Sequence, residues 1–224
     1  MSASPRIRSV ACVLALAFFT ARAAAAADAP SDEARLRRSL APDVVQQVLA
    51  IVRQARESAL PTDPLVARAL EGASRGADAA GIVAGVRRQA AALGEARAAL
   101  GASSEPDEVV AGASALMAGL PGDSLVRLRA SRPGGNLVIS LVVLCDLLAR
   151  GVPPDSASVA VLAAVHAGAS DQALLRLRER IHTRIEAGER PANAASDMLR
   201  QWLLERPGKG SSKAGSAPGA RGIR

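Results

Sequence analysis

The chain has 224 residues, a formal net charge of +7, and almost no aromatic side chains: two Phe, one Trp and no Tyr. Both Phe lie in the first 27 residues, leaving Trp202 as the sole aromatic of the remainder, so sites that stack nucleobases on aromatic faces are excluded and sugar-stacking grooves disfavoured. Three of the 28 basic residues lie before residue 28 and five after residue 205, which leaves 20 Lys and Arg against 21 Asp and Glu between them; the body lacks the surplus positive charge of a nucleic-acid binder.

Residues 1–27 have the order of a cleaved export signal. Arg6 and Arg8 precede an apolar run from Val10 to Thr20, and Arg22 to Ala27 supplies small residues of A-x-A type. The run is far shorter than the roughly 20 residues needed to cross a bilayer, so the expected mature chain starts near Asp28, has no transmembrane helix, and is periplasmic or secreted. Cys12 falls inside the apolar run, too early for a lipid-modified cysteine. Cys145 then remains as the one cysteine of the mature chain, which forbids an internal disulfide and suits a small buried hydrophobe.

Residues 28–205 read as one helical domain. In Asp43 to Ser58, Val44, Val48 and Val52 recur at helical spacing, with Gln46, Gln47, Arg53, Gln54 and Glu57 on the remaining face. Three turns, at Leu60-Pro61-Thr62-Asp63, Leu120-Pro121-Gly122-Asp123 and Val152-Pro153-Pro154-Asp155, each combine a proline that stops one helix with an aspartate expected to cap the next. Gly76, Gly119, Gly151, Gly168 and Gly188 follow apparent last turns and are expected in the left-handed conformation. Leu137 to Leu148 is the most hydrophobic stretch, predicted as a central helix, with a buried strand as the alternative; Asp146 within it needs an arginine partner or a place at the helix rim.

Aligning the turns gives candidate helical pairs over Pro42 to Gly72, Pro106 to Ala130, Asn136 to His166 and Asp171 to Glu205, with Asp78 to Leu100 as an extra long helix. The predicted fold class is therefore all-α: irregular stacked helical hairpins, either α-solenoid-like or an orthogonal bundle. Residues 206–224 are rich in Gly, Ser, Pro and basic side chains and are predicted to be a disordered basic tail.

The candidate sites are few. Glu179, His182 and Glu186 lie at i, i+3 and i+7 of one predicted helix and offer a helical metal or catalytic site, although Glu-x-x-His di-iron bundles need a second copy. His166 stands where a helix C-terminus favours a histidine. No Gly-x-Ser-x-Gly elbow or phosphate loop occurs, so no enzyme activity and no cofactor is expected. Arg176, Arg180 and Arg184 recur every four residues as a cationic stripe, to which Arg127, Arg129 and Arg132 would add if the hairpins stack suitably; Lys209 and Lys213 belong to the tail. The expectation is an exported, non-enzymatic protein-interaction or scaffold module of the cell envelope with a protein partner. The alternative is a structural envelope protein tethered by weak attraction of its tail to anionic lipid or envelope polymer.

Overall fold

A computed structural model describes residues 31–204, which form ten helices and no strand. In chain order these are α1 (Asp32–Ser39), α2 (Pro42–Glu57), α3 (Asp63–Ser74), α4 (Ala79–Leu100), α5 (Pro106–Met117), α6 (Gly122–Ser131), α7 (Val138–Ala149), α8 (Pro154–His166), α9 (Asp171–Glu186) and α10 (Pro191–Leu204). The expected signal segment and basic tail, with Lys209 and Lys213, lie outside the described residues. Each of the four paired segments contains two helices, and α4 is the additional long one. No described helix is long and apolar enough to cross a membrane.

The helices are cut to length by one recurring device. Gly76, Gly119, Gly151, Gly168 and Gly188 all take positive φ, from 69° to 98°. At each, the next residue donates its N–H back to the carbonyl five positions earlier, as Leu120 does to Ala115 and Val152 to Leu147, both at 3.0 Å. This is the Schellman closure, which satisfies carbonyls left open by the last turn. A sixth copy after α2 uses Ala59 at φ 53°, with Leu60 donating to Ala55 at 2.9 Å. Leu120 and Val152 then tuck into the core beside the closures.

Helix starts differ from the expectation in one respect. Asp63, Asp123 and Asp155 fall inside the first turn, while Thr62, Pro121 and Pro153 occupy the N-cap positions and make no side-chain cap bond. At α6 and α8 a proline at the N-cap begins the helix before the aspartate is reached, and at α3 Asp63 is itself the first helical residue with Pro64 behind it; each carboxylate thus lies in the first turn, where it favours the positive end of the helix dipole. Side-chain caps occur at Ser31, Asp78 and Ser170 instead.

Beyond α3, packing follows an alternate pattern: α4 lies on α6, α6 on α8 and α8 on α10, while α5 lies on α7 and α7 on α9. The long α4 joins this arrangement to the N-terminal helices, because it also packs on α2 and α3. Its Ile82 meets Gly72 of α3, and its Ala96 and Leu100 close on Gly112 of α5, where a Cβ would come within 3.2 and 3.0 Å of their side chains. Such close helix approach explains how the core fills with no aromatic among its described fully buried residues, Trp202 packing against it from the edge: Ala, Leu and Val alone make up most of the buried apolar residues. The hydrophobic stretch forms α7, with Leu141, Val143, Leu144 and Leu147 buried against α5, α8 and α9. Each fully buried leucine contributes about 2 kcal/mol.

Candidate functional site

The arginines separate into two groups once the helices are in place. Arg129 of α6 turns inward and is only 21% exposed, its Nη2 donating to Glu108 Oε2 at 2.7 Å. Its Nε reaches the Leu100 carbonyl at 3.2 Å and its Nη1 the Gly135 carbonyl at 2.8 Å. Glu108, almost fully buried, also accepts from the backbone N–H of Leu137 at 2.7 Å and of Glu105 at 3.1 Å. One ion pair thus fastens the end of α4, the start of α5, α6 and the loop into α7. Arg129 was expected as part of an exposed cationic surface, but the helix rotation that buries Leu125 and Leu128 carries it into this junction.

Arg127 is exposed and pairs along its own helix with Asp123 at 2.9 Å, on α6, whose chief neighbours are α4 and α8. Arg132, at the C-cap of α6, does reach α9: it donates to Asp171 at 3.0 Å and to the Ala169 carbonyl at 2.7 Å. Asp146 of α7 is bonded by Arg150 Nε at 3.2 Å, and Arg178 Nε of α9 stands 4.0 Å away, within reach of its charge but beyond a hydrogen bond. These contacts hold helices together and leave little of Arg132 or Asp146 for a ligand.

The remaining stripe is on α9. Burial of Leu174, Leu177 and Ile181 sets the rotation of that helix. Arg176 and Arg180 therefore point outward, and Arg180, Thr183 and Arg184 turn toward α10. With Met198 and Gln201 of α10 they line an open groove of about 350 Å³. Met198 is buried and is the apolar member of this lining. Arg184 is held in place through Nε by Glu189 at the end of the helix. The sequence singled out Arg180 and Arg184 but not Thr183, Met198 or Gln201, whose i, i+3 spacing on α10 was the available signal.

Glu179, His182 and Glu186 do not come together. Glu179 is 64% exposed and leans on Arg178, Glu186 is exposed, and His182 buries its Nε2 away from any protein hydrogen-bond partner. Among the described residues no three His, Cys, Asp or Glu side chains are grouped to hold a metal ion. His166, the last residue of α8, places Nε2 2.6 Å from Ser131 Oγ at the end of α6. That hydroxyl also donates to the Arg127 carbonyl at 2.7 Å, so the pair ties two helix ends at the surface. Cys145 is half-buried, its Sγ 3.6 Å from the Ala111 carbonyl of α5.

No family model, curated protein or solved structure matches this chain.

Proposed function

We propose that this is an exported, non-enzymatic protein-interaction or scaffold module of the cell envelope, built from irregular stacked hairpins in the manner of an α-solenoid. The observation that carries the reading is the α9–α10 groove, which is lined by Arg180, Thr183, Arg184, Met198 and Gln201 where the last two helices pack. Stacked helical pairs offer extended faces of this kind to partners. The alternate packing of α4 to α10 supports the solenoid-like description, and residues 1–27 support export. The absence of an enzymatic role rests on the sequence, which assigns no reaction to named residues.

A second reading draws on residues 206–224, whose five basic and no acidic side chains suit salt-sensitive tethering to anionic lipid or envelope polymer. Crosslinking in intact cells followed by affinity capture tests both, comparing the protein with a version ending at Glu205. The expected result is one discrete partner captured equally by the two forms. Loss of capture on truncation moves the function to the tail, and no discrete partner with either form overturns the interaction module.

A further inference from the structure

Resting on the interaction-module reading, we propose that the outer face of α5, α7 and α9 docks a basic amphipathic helix of a partner protein. The starting point is that α7 is apolar on two sides. Leu141, Leu144 and Leu147 are buried toward its chief neighbours α5, α8 and α9. Val138, Val142 and Ala149, at i, i+4 and i+11, make a separate stripe, partly exposed at the valines and exposed at the alanine. Cys145 reaches the Ala111 carbonyl of α5 on one side of that stripe, and Asp146 faces Arg178 of α9 on the other. A helix with no polar face is ordinarily buried all round, but the outer side of α7 stays open to water.

The flanking helices lengthen this apolar strip and set carboxylates at its edges. All three run the same way: Glu108 near the start of α5 meets Leu137 at the start of α7, and Arg132 just ahead of α7 meets Asp171 at the start of α9. Val110, partly exposed, and Met117, 44% exposed, stand seven positions apart on α5. Leu175, partly exposed, begins the matching stripe of α9, which continues through Glu179 and Glu186. Asp107, one turn before Val110, and Glu186 are exposed and hold no ion pair among the described residues. Glu179 is 64% exposed and only loosely set against Arg178, at 3.6 Å. The cations on this side, Arg150 and Arg178, stand against Asp146, so the charge left over is negative.

Charge and composition select the occupant. A second copy brings the same carboxylates, so pairing like face with like sets acid against acid, and an anionic lipid surface is repelled in the same way. Residues 206–224 have the right sign, but Ile223 is their one large apolar side chain, too little to cover the strip. A basic amphipathic helix supplies both, with its apolar stripe on Val142 and its basic residues at the edges. Glu179 and Glu186 are two turns apart, a rise of about 10 Å, so basic residues seven positions apart on that helix meet them in register.

The test is calorimetry of the purified full chain with a synthetic helical peptide carrying leucine at i, i+4, i+7 and i+11 and lysine on both flanks. Controls are a scrambled peptide of identical composition and one with glutamate replacing lysine. The ordered basic peptide is expected to bind about tenfold or more tightly than the scrambled one, with a strong salt dependence. Val142→Gln, which sets an amide in the strip, is expected to weaken it about fivefold or more. Glu179→Lys combined with Glu186→Lys loses the basic peptide and gains the acidic one, a gain that shows the variant to be folded.

Equal binding of ordered and scrambled basic peptides overturns the proposal, because only unpatterned charge is then read. Unchanged affinity in Val142→Gln or in the double lysine variant overturns it too. Tighter peptide binding by a version ending at Glu205 assigns the face to the chain's own tail, and wild-type self-association that Val142→Gln removes assigns it to a second copy; either result sinks the partner-helix proposal. A cellular partner captured by the double lysine variant as well as by the wild type overturns this face while leaving the interaction module standing.

Discussion

Replacing Glu108 by Gln changes few atoms and removes one buried charge, so it isolates the electrostatics of the junction at α4, α5, α6 and α7. In the native protein Glu108 Oε2 accepts from Arg129 Nη2 at 2.7 Å and from Glu105 N–H at 3.1 Å, while Oε1 accepts from Leu137 N–H at 2.7 Å. Glutamine keeps one carbonyl oxygen, which can serve Leu137, but presents an amino group to Arg129 and Glu105, placing donor against donor. Hydrogen bonds to a charged group are worth about 1.5–3 kcal/mol each, and breaking a buried pair from one side costs about 3–5 kcal/mol. Arg129 keeps its bonds to the Leu100 and Gly135 carbonyls and is 21% exposed, so part of its charge is solvated and the lower half of that range applies, about 3 kcal/mol. For a domain of this size that lowers Tm by about 6–12 °C. Urea unfolding followed by helical circular dichroism measures it, with an unchanged m-value showing that the unfolding unit is the same. Glu108→Leu combined with Arg129→Met should recover part of the loss, since removing both partners leaves no orphaned charge. A Glu108→Gln protein within 0.5 kcal/mol of wild type would refute the junction as an energetic feature, by the scale on which ordinary surface substitutions fall.

Four further substitutions probe other parts of the fold by the same unfolding assay. Ala59→Gly should stabilise by about 0.5–1 kcal/mol, because Ala59 holds φ 53° where the equivalent turns use glycine; Gly119→Ala, at φ 98°, should destabilise by at least as much. Gly112→Ala puts a methyl 3.0 Å from Leu100 and 3.2 Å from Ala96, and the forced separation of α4 and α5 should cost about 1–3 kcal/mol. His182→Leu removes a buried nitrogen with no protein partner and should be neutral or stabilising by about 1 kcal/mol, with no change in the metal content of the purified protein; a loss of stoichiometric metal would restore the histidine to a binding role.

What the sequence discloses here is the local part of the fold. The five glycines sit at positive φ because one helix must close and the next begin on a four-residue link, and that requirement is written in a single residue. The long apolar stretch forms α7 because its hydrophobicity continues past the length of a strand to Gly151. Ala59 was missed for the same local reason: its closure is identical, but the residue carries no sign of it. Glu108 was legible in part, since Glu105 to Glu108 has capping-box spacing ahead of an apolar run, yet nothing in that spacing names Arg129, 21 residues later, as its partner.

The arginines show where such reading ends. Arg129, Arg132, Arg178, Arg180 and Arg184 are chemically identical, and in a sequence with 20 basic and 21 acidic residues between positions 28 and 205 neither charge nor spacing sorts them. The sorting comes from helix rotation. Burial of Leu125 and Leu128 turns Arg129 inward to Glu108; burial of Leu174, Leu177 and Ile181 turns Arg178 toward Asp146 and Arg180 and Arg184 toward α10. Periodicity predicts which residues share a stripe on one helix, but whether that stripe meets a carboxylate or an open groove depends on the neighbouring helix, and hence on contacts distant in sequence. It follows that exchanging Arg129, bonded to Glu108 and to the Leu100 and Gly135 carbonyls, should cost far more stability than exchanging the exposed Arg176: two arginines, equally cationic in the sequence, separated only by what stands opposite them.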